Sequence, residues 1–268
     1  MPETARLLHH SLPVIESRII GAEALLIQLD FDGTLAPIVP TPDEARMPEA
    51  TRELLAELAA QPGITVVILS GRSLADVREK TKVPNVVYGG NHGMEIWHED
   101  GLAFTEIAAE AARLDLQRVT AALANALRHI EGAQVEDKGL TSSIHYRRVD
   151  EARRGEIIEA VEGAVAKEGG RLRLTRGSLV VEIRPAVEWN KGTAALWIQK
   201  QLGGAALSMY IGDDTTDEDA FAALSDGITI RVGCGTITSA KYCIPFVEEV
   251  PAFLRWVAST FRRKPTDG

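Results

Sequence analysis

Residues 25–30 read Leu-Leu-Ile-Gln-Leu-Asp, an almost unbroken apolar run that ends in a glycine turn. Apolar residues on successive positions mark a strand buried on both faces, as in a parallel sheet. Residues 48–60 change to a helical period, with Leu54, Leu55 and Leu58 on one face, and Pro62-Gly63 stops it. A second buried run, 64–69, ends at Ser70-Gly71-Arg72, and a helix-like stretch at 74–80 leads to a short strand at 86–88. Strand and helix alternate, which predicts right-handed βαβ units in a parallel sheet.

The pattern changes near Gly93. Residues 94–97 and 102–105 flank His-Glu-Asp-Gly and predict a hairpin. Residues 106–130 form one long alanine-rich helical pattern, and strands at 135–138 and 142–147 pair around Gly139. A helix over 151–167 precedes strands at 171–175 and 179–184. Strand pairs separated by helices describe an α+β unit with helices on one sheet face. After Pro185 the first pattern resumes: helix 192–202, buried strand 207–211, helix 217–224, strand 228–232 and helix 251–261. The middle segment therefore reads as an insertion into an α/β domain built from both ends of the chain.

At 268 residues the chain is long enough for a core that needs no disulfide support. Hydrophobic residues at 45% and charged residues at 25% place it among folded globular proteins. A net charge of −9 argues against a nucleic-acid partner, while a small phosphorylated ligand needs only a few local cations. Arg262-Arg263-Lys264 reads as a solvated helix end. No apolar run reaches the ~18 residues of a membrane span. The N-terminus carries Glu3 and Glu16 without a cationic head and apolar centre, so no signal peptide is expected. Cys234 and Cys243 are too few for a disulfide framework or a four-ligand zinc site, and read as buried free thiols. A cytoplasmic protein is the expectation, with no membrane or nucleic acid among its partners.

Chemistry concentrates at the strand ends. Asp30-Phe31-Asp32-Gly33-Thr34-Leu35 sets two carboxylates two residues apart where open α/β sheets place their ligands. Taken alone, it is equally a solvated Asp-Gly turn. Residues 213–219, Asp-Asp-Thr-Thr-Asp-Glu-Asp, follow another buried strand. A helix start favours acids and accounts for Asp217 to Asp219, but not for adjacent Asp213 and Asp214, which repel unless a cation compensates. Oxygen ligands of this kind suit Mg²⁺, and the spaced acids and glycine of a calcium loop are missing. Ser70-Gly71-Arg72 adds a hydroxyl, free amides and a cation, and Lys191-Gly192 opens the first helix after the insert. Two carboxylates, a hydroxyl, a lysine and an acid pair together suit displacement at phosphorus through an aspartate nucleophile.

These four elements, in this order, resemble the haloacid-dehalogenase superfamily of phosphotransferases. The resemblance implies an α/β, Rossmann-like parallel-sheet core (residues 1–93 and 186–268) and an inserted α+β cap of the C2 type (94–185). It makes Asp30 the nucleophile and Asp32 the acid and base, with Ser70 and Lys191 holding phosphoryl oxygens. Mg²⁺ would be held by Asp30, the Asp32 carbonyl and Asp213, with Asp214 and Asp217 in support.

Gly90-Asn91-His92-Gly93-Met94-Glu95, Lys138 through His145-Tyr146-Arg147, Glu182-Ile183-Arg184-Pro185 and the run 212–221 narrow the resemblance to trehalose-6-phosphate phosphatases. It implies trehalose 6-phosphate as the small-molecule substrate, and we take the protein as a monomer. Gly71, Arg72 and His92, with Glu136, Lys138, His145, Arg147 and Glu182 in the insert, become the substrate-binding candidates. Glu136 and Lys138 read also as an exposed strand pair, Arg147 as a solvated edge charge, and His92 as a hinge residue or a satisfied histidine. Gln28 departs from the pattern, which calls for an apolar residue there; a buried amide needs partners, but nothing in the mechanism depends on it. Two rivals remain: a phosphatase or mutase for another sugar phosphate, and a non-catalytic sugar-phosphate-binding domain.

Overall fold

A computed structural model describes residues 3–263 except 178, 203 and 205. Its contacts divide it into two compact units, residues 1–103 with 189–268 and residues 104–188. In the first, eight strands of the described residues lie side by side in one sheet. Their spatial order is Arg6–Leu7, Tyr242–Ile244, Ile228–Val232, Leu207–Gly212, Leu25–Leu29, Ile64–Leu69, Val86–Gly90 and Glu95–Trp97. The first seven run parallel, and Glu95–Trp97 returns antiparallel to Val86–Gly90. The strand predicted at 94–97 thus extends the main sheet.

Alternation along each strand decides what every face buries. Ile27, Leu29, Val66, Ile68, Met209 and Ile211 share one core with Ile15, Ile19, Leu54, Leu58, Leu254 and Val257. These last six lie on the helices Leu12–Gly21, Glu49–Ala59 and Val250–Arg262. Leu26, Gln28, Val67 and Tyr210 occupy the opposite sheet face and are equally buried. That two-sided burial explains the unbroken apolar run at 25–29. Truncating Leu29 to alanine should cost about 2–5 kcal/mol.

The second unit is a four-stranded antiparallel sheet, in the order Leu172–Gly177, Val180–Pro185, Ser142–His145, Gln134–Asp137. Ile144, Val181 and Ile183 pack on one side with Leu116, Val119 and Leu123 of the helix Arg113–Leu127 and with Ile157 and Val161 of Arg154–Ala166. The long helix predicted over 106–130 is broken at Ala112 into Ile107–Ala111 and Arg113–Leu127.

The reading of the cysteines needs correction. Cys234 and Cys243 form a disulfide, with Cα atoms 5.6 Å apart. Cys243 lies opposite Arg231 on the neighbouring strand, and Gly233, at φ 88°, turns the chain just after Val232. Spacing in the sequence could not reveal this proximity, because the fold alone makes the two strands neighbours.

Candidate active site

The strands Leu25–Leu29 and Leu207–Gly212 lie side by side at the middle of the sheet, where the order of chain segments reverses. A crevice opens at the carboxyl ends of such strands. Asp30 and Asp213 follow those two ends, and Ser70 follows the next strand, Ile64–Leu69. Asn190 caps the helix Lys191–Gln201, its side chain accepting the Thr193 N–H, which fixes Lys191 at the first position.

Lys191 Nζ donates to Asp30 Oδ1 at 2.6 Å and to Asp217 Oδ1 at 2.7 Å, and all three residues are buried. Burial alone would push the Lys191 ammonium down, but Asp217 and Asp30 hold it well above its ordinary value. Asp217 Oδ1 also accepts from the Tyr210 hydroxyl at 2.8 Å, and Oδ2 accepts the backbone N–H groups of Asp213 (3.1 Å) and Asp214 (3.0 Å). A carboxylate offers about four lone-pair positions, so protein donors satisfy Asp217 completely. Burial and then Asp217 push the Tyr210 phenol up, which keeps it a donor.

Asp213 stands differently. Its Oδ1 is buried without a hydrogen-bond partner. Its carboxylate packs against Gly33, where a Cβ would come within 2.1 Å of Oδ2, so only glycine admits this approach. Burial, then the nearby Asp217, raises the Asp213 carboxyl to about 7. Burial likewise pushes Asp30 up; Lys191 pulls it back, and Asp217 and Asp213 push it up again. Asp30, Asp213 and Asp217 each bring a carboxylate oxygen within 4.8 Å of the others. One lysine cannot neutralise three acids, and the orphaned Asp213 oxygen suits a hard divalent cation. Asp214 is exposed, and Thr215 donates to its Oδ1.

Asp32 points to another cation. Arg72 Nε donates to its Oδ2 and Nη2 to its Oδ1, both at 2.7 Å. Ser70 is buried, its hydroxyl oxygen accepting the Arg72 N–H at 3.2 Å. The carbonyls of Ser70 and Arg72 accept the N–H groups of His92 and Asn91, so the two loops form one block. Gly71 presses on the His92 ring, where a Cβ would lie 2.7 Å from Cε1.

The trehalose-phosphatase family model matches residues 28–247. The chain belongs to the trehalose-phosphatase family. A trehalose-phosphate phosphatase of Mycobacterium marinum is 40% identical over 208 residues, which are 76% of this chain and 52% of that protein. The chain spans from 16% to 66% of the length of curated relatives that it matches. Among solved structures, a trehalose-6-phosphate phosphatase related protein superposes with a TM-score of 0.78 at 24% identity, covering 89% of this chain and 100% of that one. A haloacid dehalogenase-like hydrolase from Bacteroides thetaiotaomicron shares the fold at 16% identity, with a TM-score of 0.64 and coverage of 89% and 100%. The haloacid-dehalogenase α/β fold is thus that of this trehalose-phosphatase family member.

In the second unit, strand register sets Glu136, Ser143 and Glu182 in one row across three strands, on the face opposite the apolar one. Lys138 Nζ lies 3.4 Å from Glu182 Oε1, and His145 Nε2 lies 2.9 Å from Glu136 Oε2. Arg147 is exposed beyond the strand end. Arg184, two residues after Glu182 and so on the same face, is buried with Nε 3.7 Å from Glu182 Oε2. It was missed as a candidate, although the two-residue period from Glu182 could have found it. Tyr210 was missed because a tyrosine in a buried strand reads as core.

Proposed function

We propose that the chain is a phosphoric monoester hydrolase that converts trehalose 6-phosphate and water to trehalose and phosphate. The observation that carries this is the Asp30–Lys191–Asp217 chain beside the unpartnered Asp213 oxygen. It supports a buried nucleophile with a fixed cation and room for a metal. Asp30 attacks phosphorus; as the bond from phosphorus to the sugar oxygen breaks, Asp32 gives that oxygen its proton. Asp32, now a carboxylate, takes a proton from the water that attacks the aspartyl-phosphate. The Asp30 carboxylate and phosphate are released. Lys191 spends two of its three N–H groups on Asp30 and Asp217 and keeps the third for a phosphoryl oxygen. Ser70 binds a second.

Asp30 and Asp213 would hold Mg²⁺ with the Asp32 carbonyl, supported by Asp214 nearby and by Asp217 through the backbone of residues 213 and 214. Bound there, Mg²⁺ supplies the charge that lets a carboxylate approach a phosphate dianion. The second unit supplies the sugar's hydroxyl partners as a specificity cap, from Glu136, Lys138 and Glu182, with His145 and Arg147 beside them. His92 and Gly71 line the phosphoryl side. Asp30, Asp32 and Lys191 are all present, which counts against a non-catalytic domain.

Among the described residues no helix is long and apolar enough to cross a membrane. We propose a monomer of the cytoplasm, where phosphorylated sugars are retained by their charge. Phosphate release from trehalose 6-phosphate, sucrose phosphate, mannosylphosphoglycerate and mannose phosphates, with and without Mg²⁺, tests the reading. Release from none of them sinks the phosphatase; release no faster from trehalose 6-phosphate sinks the substrate.

A further inference from the structure

Arg72 lies at the end of the strand Ile64–Leu69, beside the phosphoryl-binding Ser70, and its place there suggests a substrate contact. Its hydrogen bonds suggest another task. The side chain is 8% exposed, and Nε and Nη2 take the two oxygens of Asp32 in a fork at 2.7 Å each. Nη2 also donates to the Pro42 carbonyl at 2.9 Å, and Nη1 donates to Asp76 Oδ2 at 2.7 Å. Four of the five guanidinium N–H groups are therefore committed, and a phosphoryl group would find one. The guanidinium also lies over the Phe31 ring, 5.2 Å from its centroid.

We propose that Arg72 is a positioning residue that fixes the carboxylate of Asp32, the acid and base of the proposed reaction, and is not a ligand for the phosphoryl group. The inference rests on the phosphatase reading. Asp32 needs such a partner. It lies past the strand end, its side chain is 40% exposed, and a carboxylate there turns freely unless held. A planar fork fixes both the position and the plane of a carboxylate, which an ammonium cannot do. One lone-pair position stays open on each Asp32 oxygen, so the acid form can carry its proton there for the sugar oxygen, and the carboxylate left behind can take one from water. Asp76 and the Pro42 carbonyl brace Arg72 from the far side, on the helix Leu74–Thr81 and the short turn Pro42–Glu44. The structure thus pairs each carboxylate of the Asp30-Phe31-Asp32 motif with its own cation: Lys191 with Asp30, Arg72 with Asp32.

The test compares Arg72→Lys and Arg72→Met with wild type on trehalose 6-phosphate and p-nitrophenyl phosphate, at steady state and by rapid mixing. A misplaced acid should lower kcat on trehalose 6-phosphate about a hundredfold, as an error of ~1 Å can, with little change in KM. Nitrophenolate leaves without a proton. Its first-turnover burst should therefore persist near the wild-type rate, while steady-state turnover, which needs Asp32 to activate water, falls. In an Asp32→Asn background, Arg72→Lys should cost nothing further. A tenfold weaker inhibition by inorganic phosphate with kcat preserved would overturn the proposal, as would equal loss of burst and turnover. Full additivity with Asp32→Asn would overturn it too. Arg72→Lys keeps a charge in the buried space, and its cycle with Asp32→Asn decides the matter if Arg72→Met fails to fold. A wild-type protein inert on both esters would fail the phosphatase reading itself; activity on p-nitrophenyl phosphate alone still allows the Arg72 comparison.

Discussion

Lys191 Nζ reaches Asp30 and Asp217 together, partners 161 and 26 residues away in sequence. The second unit is inserted between Asp30 and Lys191, so this contact joins the two chain segments that build the sheet unit. Two acids around one ammonium also leave negative charge in a buried space, and each partner depends on the others for compensation.

Asp30→Asn should abolish phosphate release while the melting temperature stays close to wild type, since the amide keeps the shape and removes the nucleophilic charge. Lys191→Met should lose activity and also about 3–5 kcal/mol of stability, because it strands buried carboxylates. Phosphate release and urea melts on both variants check this. Wild-type turnover by folded Asp30→Asn would exclude the covalent route.

Asp213 gives the metal-free protein a pH dependence. An aspartate in the unfolded chain titrates near ~3.9, whereas Asp213 titrates at about 7 in the fold. With the folded value raised, the unfolded chain gives up its proton first, and ionisation weakens the fold. Metal-free stability should therefore fall as pH rises from about 4 to 7 and level off above. The stabilisation by added Mg²⁺ should grow over the same window, because protons compete for the site. Asp213→Ala should flatten both trends and stabilise the metal-free protein. Thermal melts across pH, with and without Mg²⁺, measure this; an unchanged Mg²⁺ shift in Asp213→Ala removes it from the ligand set.

Much of this was legible in the sequence because strand burial and strand-end chemistry coincide. The run 25–29 announced a two-sided strand, and Asp30 followed at its carboxyl end. What stayed hidden depends on neighbours distant in sequence. The strand Tyr242–Ile244 is three residues long, too short for a period, and its register against Ile228–Val232 creates the disulfide. The helix Leu12–Gly21 went unrecognised although Ile15 and Ile19, both fully buried, stand one turn apart. Asp217 looked like one more metal-loop acid. Only its four donors reveal a residue that orders Lys191 and the loop backbone.

The disulfide should matter beyond its own loop. Between its cysteines lie Thr238, whose hydroxyl donates to Glu218 Oε1, and Ser239, whose N–H donates to Oε2. Glu218 opens the helix Glu218–Ala223, directly after Asp217. Cys234→Ser with Cys243→Ser should cost about 2–4 kcal/mol, with a weaker response to Mg²⁺. Thiol titration of the unfolded, unreduced protein should find no free cysteine. Two free thiols would disprove the bridge.

The residues proposed for sugar recognition pair with one another, Lys138 with Glu182 and Glu136 with His145, and that gives them two possible duties. As hydroxyl binders they act only on a substrate that carries the sugar. As braces they hold the sheet and act on every substrate alike. Losing a charged hydrogen bond to substrate should cost about 1.5–3 kcal/mol, or roughly ten- to a hundredfold in kcat/KM. For Glu136→Ala, Lys138→Ala and Glu182→Ala we expect that loss on trehalose 6-phosphate, with p-nitrophenyl phosphate largely spared because it offers no hydroxyl to bind. Glu182→Ala should also lower the melting temperature, since it removes a partner of both Lys138 and buried Arg184, whereas Glu136→Ala, at a half-buried pair, should lower it less. Melts separate the bracing from the recognition, and kcat/KM on the two esters decides between them: equal losses on both would leave these side chains as struts of the sheet.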